Sequence, residues 1–430
     1  MDLIQCFAFI LLSLFIASFV LQWRRRSFWR QPDQKRYPSA QENTTTVIIG
    51  AGVVGLCTAY HLAKAIDKKR HKVIVIEAAS QVFAATSSTN TGILSYTGFQ
   101  EELLPLAQYS YDLWEDLGKD TDFRRSCGYK ENANFALKTG SGEGDGEPIP
   151  NWIHTKTDWH AIRDPPDSKM AIINPVALGQ WLHKQCLNLK VEIRLNEKAT
   201  SVDLDTTDGT MSLEVIDGEG NALNLQCNHL VLAAGPWSPA LFKQLFPQSS
   251  AKIEAVISAG EWFVFENPES FTEKSIAGIY FNDIVGQKLE FAGRNDHTIW
   301  TTGEKSEVGE VPSVGDTPKP DPGKLAKLRA YADMFLKHPH TSGGKQKLRV
   351  LSHGRSYRPA TWNSLPIIAG IPPYNLTTKE RGHTKAKVFI NSGHGAYGIT
   401  LSMGSGKLMS QMILHKQLDL DVSRLGPSYI

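Results

Sequence analysis

Four clusters in the 430-residue chain carry recognisable chemistry. The first is Gly50-Ala51-Gly52-Val53-Val54-Gly55, followed 22 residues beyond Gly55 by Glu77. In that spacing Gly50 permits a tight turn, Gly52 lets the main chain approach a pyrophosphate, and Gly55 lets a helix pack closely on a strand. The free N–H groups of that helix would face the phosphates, and Glu77 is placed to accept hydrogen bonds from an adenosine ribose. The second cluster, Ala85-Thr86-Ser87-Ser88-Thr89-Asn90-Thr91-Gly92, is small and hydroxyl-rich, suited to a loop that wraps a pyrophosphate and reaches a ring system. The third and fourth are glycine turns after apolar runs: Ala234-Gly235 after Leu230-Val231-Leu232, and Gly393-His394-Gly395-Ala396-Tyr397-Gly398 after Val388-Phe389-Ile390. Upstream of the last turn stands Arg358-Pro359, with Arg355 and Tyr357 beside it.

These residues need elements to position them. The β-rich run 44–49 enters the first glycine turn, 56–63 has helical character, and 72–76 is a second strand ending at Glu77. Strand, glycine turn, helix and terminal acid together turn a weak glycine pattern into a specific one. A helix is expected over 174–187, and another from the last glycine turn through residue 413. Between 252 and 300, β-rich pieces such as 261–265 and 278–281 alternate with turns, as in an antiparallel sheet. Trp262, Tyr280 and Trp300 there read as core residues at least as readily as pocket residues. Two polar inserts, 139–146 and 301–323, read as a loop and as a surface excursion over or near the substrate region.

The order of these motifs, from about residue 46 to 413, resembles the D-amino-acid oxidase and dehydrogenase superfamily of FAD enzymes, which includes glycine oxidase and sarcosine oxidase. The resemblance implies an α/β fold in which a Rossmann-type FAD-binding domain (about 44–100, 170–250 and 350–415) is interleaved with an antiparallel-sheet substrate domain (about 101–169 and 251–349). It implies FAD held at its pyrophosphate by Gly50, Ala51, Gly52, Val53, Val54 and Gly55, and at its ribose by Glu77. Thr86, Ser87, Asn90 and Gly92 would lead toward the flavin, Val202 would touch adenine, and Ala234 and Gly235 would flank the dinucleotide. Gly395, Ala396, Tyr397, Gly398, Ile399 and Thr400 would meet the isoalloxazine, with a helix N-terminus directed at the oxygen where reduction places charge. Arg358 would grip the substrate carboxylate, with Tyr397 beside it at the catalytic position. Asn363-Ser364 replaces the Asp-Gly usual after this Arg-Pro, which departs from the family in the turn. His394 is either a hydrogen-bonded structural residue, the favoured reading, or a covalent flavin attachment point.

The activity so implied is oxidation of the C–N bond of a small amine or amino acid by hydride transfer to flavin N5, with oxygen or a membrane component as electron acceptor. Two other readings stay open: oxidation of an alcohol or amine on a lipophilic secondary metabolite, and a flavoprotein whose main task is trafficking or partner binding. An NADPH-using monooxygenase is not the expected class: the other Gly-x-Gly-x-x-Gly, Gly393 to Gly398, is the turn that the resemblance gives to the isoalloxazine.

Composition narrows the class. With 46 basic and 44 acidic residues the chain lacks the charge of a nucleic-acid binder, and its five cysteines form no Cys-x-x-Cys pair, against a zinc site or disulfide framework. No metal is expected. The basicity is local: Arg24, Arg25, Arg26, Arg30, Lys35 and Arg36 face one acid, Asp33, just after an almost wholly apolar run over 3–21. As a helix that run would be about 28 Å long, matching a hydrocarbon core. This predicts an uncleaved anchor and tether over 1–43, and a single-pass membrane protein, of the endoplasmic reticulum, with the body (44–430) cytosolic.

Overall fold

Val47-Ile48-Ile49, Val73–Ile76 and Leu230–Leu232 are continuous apolar runs, the pattern of strands covered on both faces, and in the computed structural model they are neighbours in one sheet. The structure describes residues 43–429, except 140–148, 155–158, 165–167, 205–209, 255, 282–288, 308–310, 314, 315, 317, 342, 343 and 378–386. The six strands run in the order Ile367–Ile371, Lys387–Ser392, His229–Leu232, Thr44–Ile49, His71–Glu77, Glu192–Leu195. All pair in parallel except Ile367–Ile371, which is antiparallel to its neighbour.

Alternation along these strands feeds two cores. Ile48, Val73, Val75, Val231 and Phe389 point to a face covered by the helices Val53–Ala65, Leu104–Gly118, Pro175–Asn188 and Gly398–Ile413. Val47, Ile49, Ile74, Ile76, Leu230 and Leu232 point to the other, against the three-stranded sheet Lys198–Asp203, Met211–Ile216, Ala222–Cys227 and the helix Ser238–Leu245. The expected helix over 174–187 is found as Pro175–Asn188, started by Asn174, whose side chain accepts from the N–H groups of Val176 and Ala177.

A second sheet has seven strands, in the order Val350–Ala360, Val256–Glu266, Thr298–Glu307, Leu289–Gly293, Ala277–Phe281, Asn134–Thr139, Trp159–Arg163. Only the pair Ala277–Phe281 with Asn134–Thr139 is parallel. Because side chains alternate, the odd positions Phe263, Phe265, Ile279, Phe281, Phe291 and Ile299 form a third core under the helix Pro322–Phe335. The even positions Trp262, Tyr280, Glu290 and Thr302 face a cavity. The strand Val350–Ala360, which carries Arg358, belongs to this sheet and not to the six-stranded one. The insert over 301–323 begins inside the strand Thr298–Glu307 and ends in the helix Pro322–Phe335. Most of the other insert, from residue 140 on, lies outside the described residues.

The membrane expectation is corrected. No helix among the described residues is long and apolar enough to cross a membrane. The longest of them, Gly398–Ile413, has 16 residues against about 20 for a span, and it is buried among other helices. The run 3–21 and the tether up to residue 42 lie outside the described residues. Neither the anchor in a lipid bilayer, nor the reticulum membrane, nor the cytosolic placement built on it is retained.

Candidate active site

A cavity of about 1830 Å³ lies between the C-terminal ends of the parallel strands and the even-numbered face of the seven-stranded sheet, larger than the roughly 300–1,000 Å³ of ordinary small-molecule pockets. Its first wall is the turn after Thr44–Ile49. Gly50 has φ +110°, and a Cβ there would lie 2.5 Å from Ala233 O; a Cβ on Gly55 would lie 1.9 Å from Gly50 O. Only glycine fits at both positions. The helix Val53–Ala65 starts at Gly52, which offers no capping side chain, and Ser87 Oγ accepts from Val53 N–H at 3.0 Å.

Glu77 ends the next strand. Its carboxyl accepts from the main-chain N–H of Ala51 at 2.8 Å and of Ala79 at 2.9 Å. Burial nevertheless pushes its pKa above the usual carboxylate range, with those N–H groups opposing the shift. One carboxyl therefore both buttresses the glycine turn and lines the cavity.

The hydroxyl-rich loop is stapled by Asn90. Asn90 Nδ2 donates to Thr86 O and Ser87 O at 3.1 and 2.9 Å, and Oδ1 accepts from Gly92 N–H at 2.9 Å. Asn90 thus shapes the loop with its side chain, while Arg294, fully buried, donates to its main-chain oxygen. Thr86 Oγ1 donates to Tyr357 O at 2.6 Å and Thr89 pairs with Ser356, so the loop is tied to the strand of Arg358.

On the opposite side, Gly395, Ala396, Tyr397, Gly398, Ile399 and Thr400 all line the cavity, and the helix Gly398–Ile413 starts there without a side-chain cap. Trp114 Nε1 fixes this end by donating to Ile399 O and Thr400 O at 3.2 and 3.1 Å. Tyr397 packs on Phe99 with ring centroids 4.4 Å apart. His394 Nε2 lies 3.1 Å from Ser405 Oγ, and burial pulls its pKa down to about 3, so the ring is neutral.

Two arginines face the cavity and differ in partners. Arg355 Nη1 is 2.9 Å from Oε1 of Glu261, which is fully buried. Arg358 has no ion pair among the described residues. Its guanidinium rests over Gly260, where a Cβ would lie 2.9 Å from Nη2. Burial pulls its pKa below the usual arginine value, opposed by the charges of Glu290 and Glu261. Tyr357 packs with Ile257, Ala259 and Val311. In the turn that follows, Asn363 Oδ1 accepts from Thr361 Oγ1 at 2.8 Å and Leu365 N–H at 3.1 Å, and Ser364 takes φ +58°. Asn363-Ser364 thus makes this turn with an amide and a strained serine.

Ala234, Gly235, Gly50, Gly52, Val53, Val54, Glu77, Thr86, Ser87, Asn90 and Gly92 all line the same cavity. Ala51 and Gly55 act behind it. Val202 does not line it: the side chain packs in the second core, and Ala199, earlier in the same strand, takes the cavity position. Sequence reasoning left Trp262 open between core and pocket and did not single out Gly260, Thr302 and Glu290, which share the floor with it; the wall formed by Val311, Pro312 and Pro320, where Trp237 Nε1 donates to Pro312 O at 2.8 Å, belongs to the insert expected over or near the substrate region.

A family model described as FAD dependent oxidoreductase matches residues 45–412. The chain is 24% identical to D-amino acid dehydrogenase 2 of Pseudomonas aeruginosa, over 88% of this chain and 97% of that protein. Among solved structures it resembles glycine oxidase from Geobacillus kaustophilus (TM-score 0.63, 16% identity, 89% of this chain and 98% of that one). It also resembles L-amino acid deaminase from Proteus vulgaris (TM-score 0.64, 14% identity, 92% and 98%).

Proposed function

The chain belongs to the FAD dependent oxidoreductase family, and we propose that it oxidises the C–N bond of a small amino acid or amine whose carboxylate is gripped by Arg358. It is an enzyme of the amino-acid oxidase and dehydrogenase type with FAD as cofactor.

The residues of the cavity fit that cofactor. Two helices, Val53–Ala65 and Gly398–Ile413, begin at it without capping side chains, and Gly52 leaves bare main chain there. Gly50, Gly52, Val53 and Val54 would hold the pyrophosphate, Glu77 the ribose, and Thr86, Ser87, Ala234 and Gly235 the stretch between them and the ring system, with Ala51, Gly55 and Asn90 shaping the turns. Gly395 to Thr400 would lie against the ring. The chemistry that bound FAD supplies is acceptance of a hydride from the substrate carbon.

The rest falls to the chain. Arg358 would fix the substrate by its carboxylate, and the sheet floor and Tyr397 would orient the reacting carbon and keep water away. The seven-stranded sheet is in this reading the substrate half and the six-stranded sheet the cofactor half. The observation that supports it most is the contrast between the arginines: Glu261 neutralises Arg355, whereas the half-buried Arg358 lines the cavity without an ion pair among the described residues. The test is anaerobic bleaching of the yellow holoenzyme by a panel of D- and L-amino acids and amines. Bleaching by carboxylate-bearing amines is expected; a flavin that none of them reduces overturns the reading.

A further inference from the structure

One hairpin turn of the seven-stranded sheet reaches into the cofactor half. It joins Leu289–Gly293 to Thr298–Glu307, and it closes on itself: Arg294 N–H donates to Thr298 O at 2.9 Å and His297 N–H to Arg294 O at 3.3 Å. Asn174, the cap of the helix Pro175–Asn188, holds the turn from the other side, its Nδ2 donating to Asn295 Oδ1 at 3.0 Å and to Asp296 Oδ2 at 2.9 Å. The residue before that cap is tied to the hydroxyl-rich loop, because Ile173 N–H donates to Gly92 O at 2.9 Å. Sheet, helix start and loop thus meet at one point.

Arg294 stands at that point, where a cation is unfavourable. It is fully buried and has no ion pair among the described residues; burial pulls its pKa below the usual arginine value, opposed by the charge of Asp296. Keeping such a group out of water costs stability unless its contacts offset the loss. Two contacts do so. The guanidinium lies 4.1 Å from the centroid of the Trp300 ring, a cation–π contact, and its Nη2 donates to Asn90 O. Nε and Nη1 have no protein partner among the described residues. One contact is therefore with the sheet, since Trp300 stacks at 4.9 Å on Trp262, which lines the cavity. The other is with the loop, at the residue whose side chain staples Thr86, Ser87 and Gly92 together. An apolar side chain would fill the same space without the penalty of a buried charge, but it could not hold the loop oxygen.

We propose that Arg294 is a positioning residue for the cofactor: it fixes the loop 86–92 against the sheet floor at Trp262, and so sets the separation of the two surfaces between which FAD is held. This rests on the FAD contacts proposed for that loop and is independent of the substrate.

The experiment compares wild-type holoenzyme with Arg294→Met, which keeps apolar bulk and removes donor and charge, and with Arg294→Lys, which keeps the charge and the one donor that the link uses. Release of FAD from diluted holoenzyme, followed by recovery of flavin fluorescence, is expected to be about 10- to 100-fold faster in Arg294→Met, the worth of one hydrogen bond from a charged donor, and to return to within about threefold of wild type in Arg294→Lys. The visible circular dichroism of FAD at saturation, which reports the surroundings of the ring, is expected to change in Arg294→Met and to be restored in Arg294→Lys. Release at the wild-type rate in Arg294→Met, or an equal defect in both variants, overturns the proposal. If Arg294→Met does not fold, amide exchange in the wild-type protein decides: adding FAD to the apoprotein is expected to slow exchange over 294–298 together with 86–92, and protection of the loop alone overturns the proposal. No readout uses a substrate, so either result is separate from the anaerobic bleaching that tests amine oxidation.

Discussion

The fully buried carboxyl of Glu261 holds Arg355 at 2.9 Å, and this pairing decides which of two arginines on one strand keeps its charge available. Arg355 and Arg358 both line the cavity. The strand Val256–Glu266 supplies the difference: Glu261 lies opposite Arg355, while Ser258 lies opposite Arg358 and nearby Gly260 leaves room for its guanidinium.

Replacing Arg358 by methionine is expected to lower kcat/KM for a carboxylate-bearing substrate about 30- to several-thousand-fold, the equivalent of about 2–5 kcal/mol for truncating one side of a buried charge pair. A half-buried cation without an ion pair among the described residues also costs the free protein stability, so the apoprotein variant should melt no lower than wild type. Steady-state kinetics and calorimetry check both halves. Full turnover in the variant would remove Arg358 from the site.

Glu261→Gln leaves the half-buried Arg355 opposite a fully buried neutral group. Breaking such a pair from one side costs about 3–5 kcal/mol, so denaturant unfolding should show a loss of that size. A double replacement of Glu261 and Arg355 by methionine should recover much of it. A single variant as stable as wild type would show that the pair contributes nothing.

Ser364 stands at φ +58° in the turn after Arg358. A side chain in that region costs about 1–2 kcal/mol, and glycine loses about 0.4–1 kcal/mol through a freer unfolded chain. Ser364→Gly is therefore expected to stabilise the protein by about 0.5–1 kcal/mol in thermal or denaturant unfolding. A destabilised variant would mean that the serine hydroxyl contributes more than its backbone strain costs.

His394 links stability to acid. Its pKa falls from the ordinary 6.5 to about 3 on burial, so between those values the unfolded chain binds a proton that the folded chain does not. Its contribution is complete above pH 6.5 and is lost as pH falls toward 3, at up to about 1.4 kcal/mol per pH unit. His394→Gln should flatten that part of the stability profile between pH 6 and 4. A profile of unchanged slope would show that other groups carry the acid sensitivity.

What was legible in the sequence follows from how local the information is. The unit from Thr44 to Glu77 is contiguous, and its strand, Gly50 turn, helix and acid were all readable because each is specified by near neighbours. Arg358 was reached through resemblance, and its distinction from Arg355 was not readable, since it depends on a register set by Glu261 and Gly260 nearly a hundred positions upstream. Glu290 looks in sequence like one polar residue in the ordinary strand Leu289–Gly293. Only pairing with Tyr280 and Thr302 puts it in the floor. Ala199 and Val202 share a strand, and only the folded chain shows that Ala199 is the one lining the cavity while the Val202 side chain packs in the second core.

The alternation of the seven-stranded sheet has a consequence for how such a protein changes over time. Packing is carried by Phe263, Phe265, Ile279, Phe281, Phe291 and Ile299, and the chemistry of the pocket by Trp262, Tyr280, Glu290 and Thr302, so consecutive residues answer to separate constraints. Single substitutions at the even positions alter what the pocket accepts while leaving the hydrophobic layer beneath intact. The inheritance of a stable scaffold and the drift of its preferred substrate are thereby uncoupled at the level of neighbouring codons.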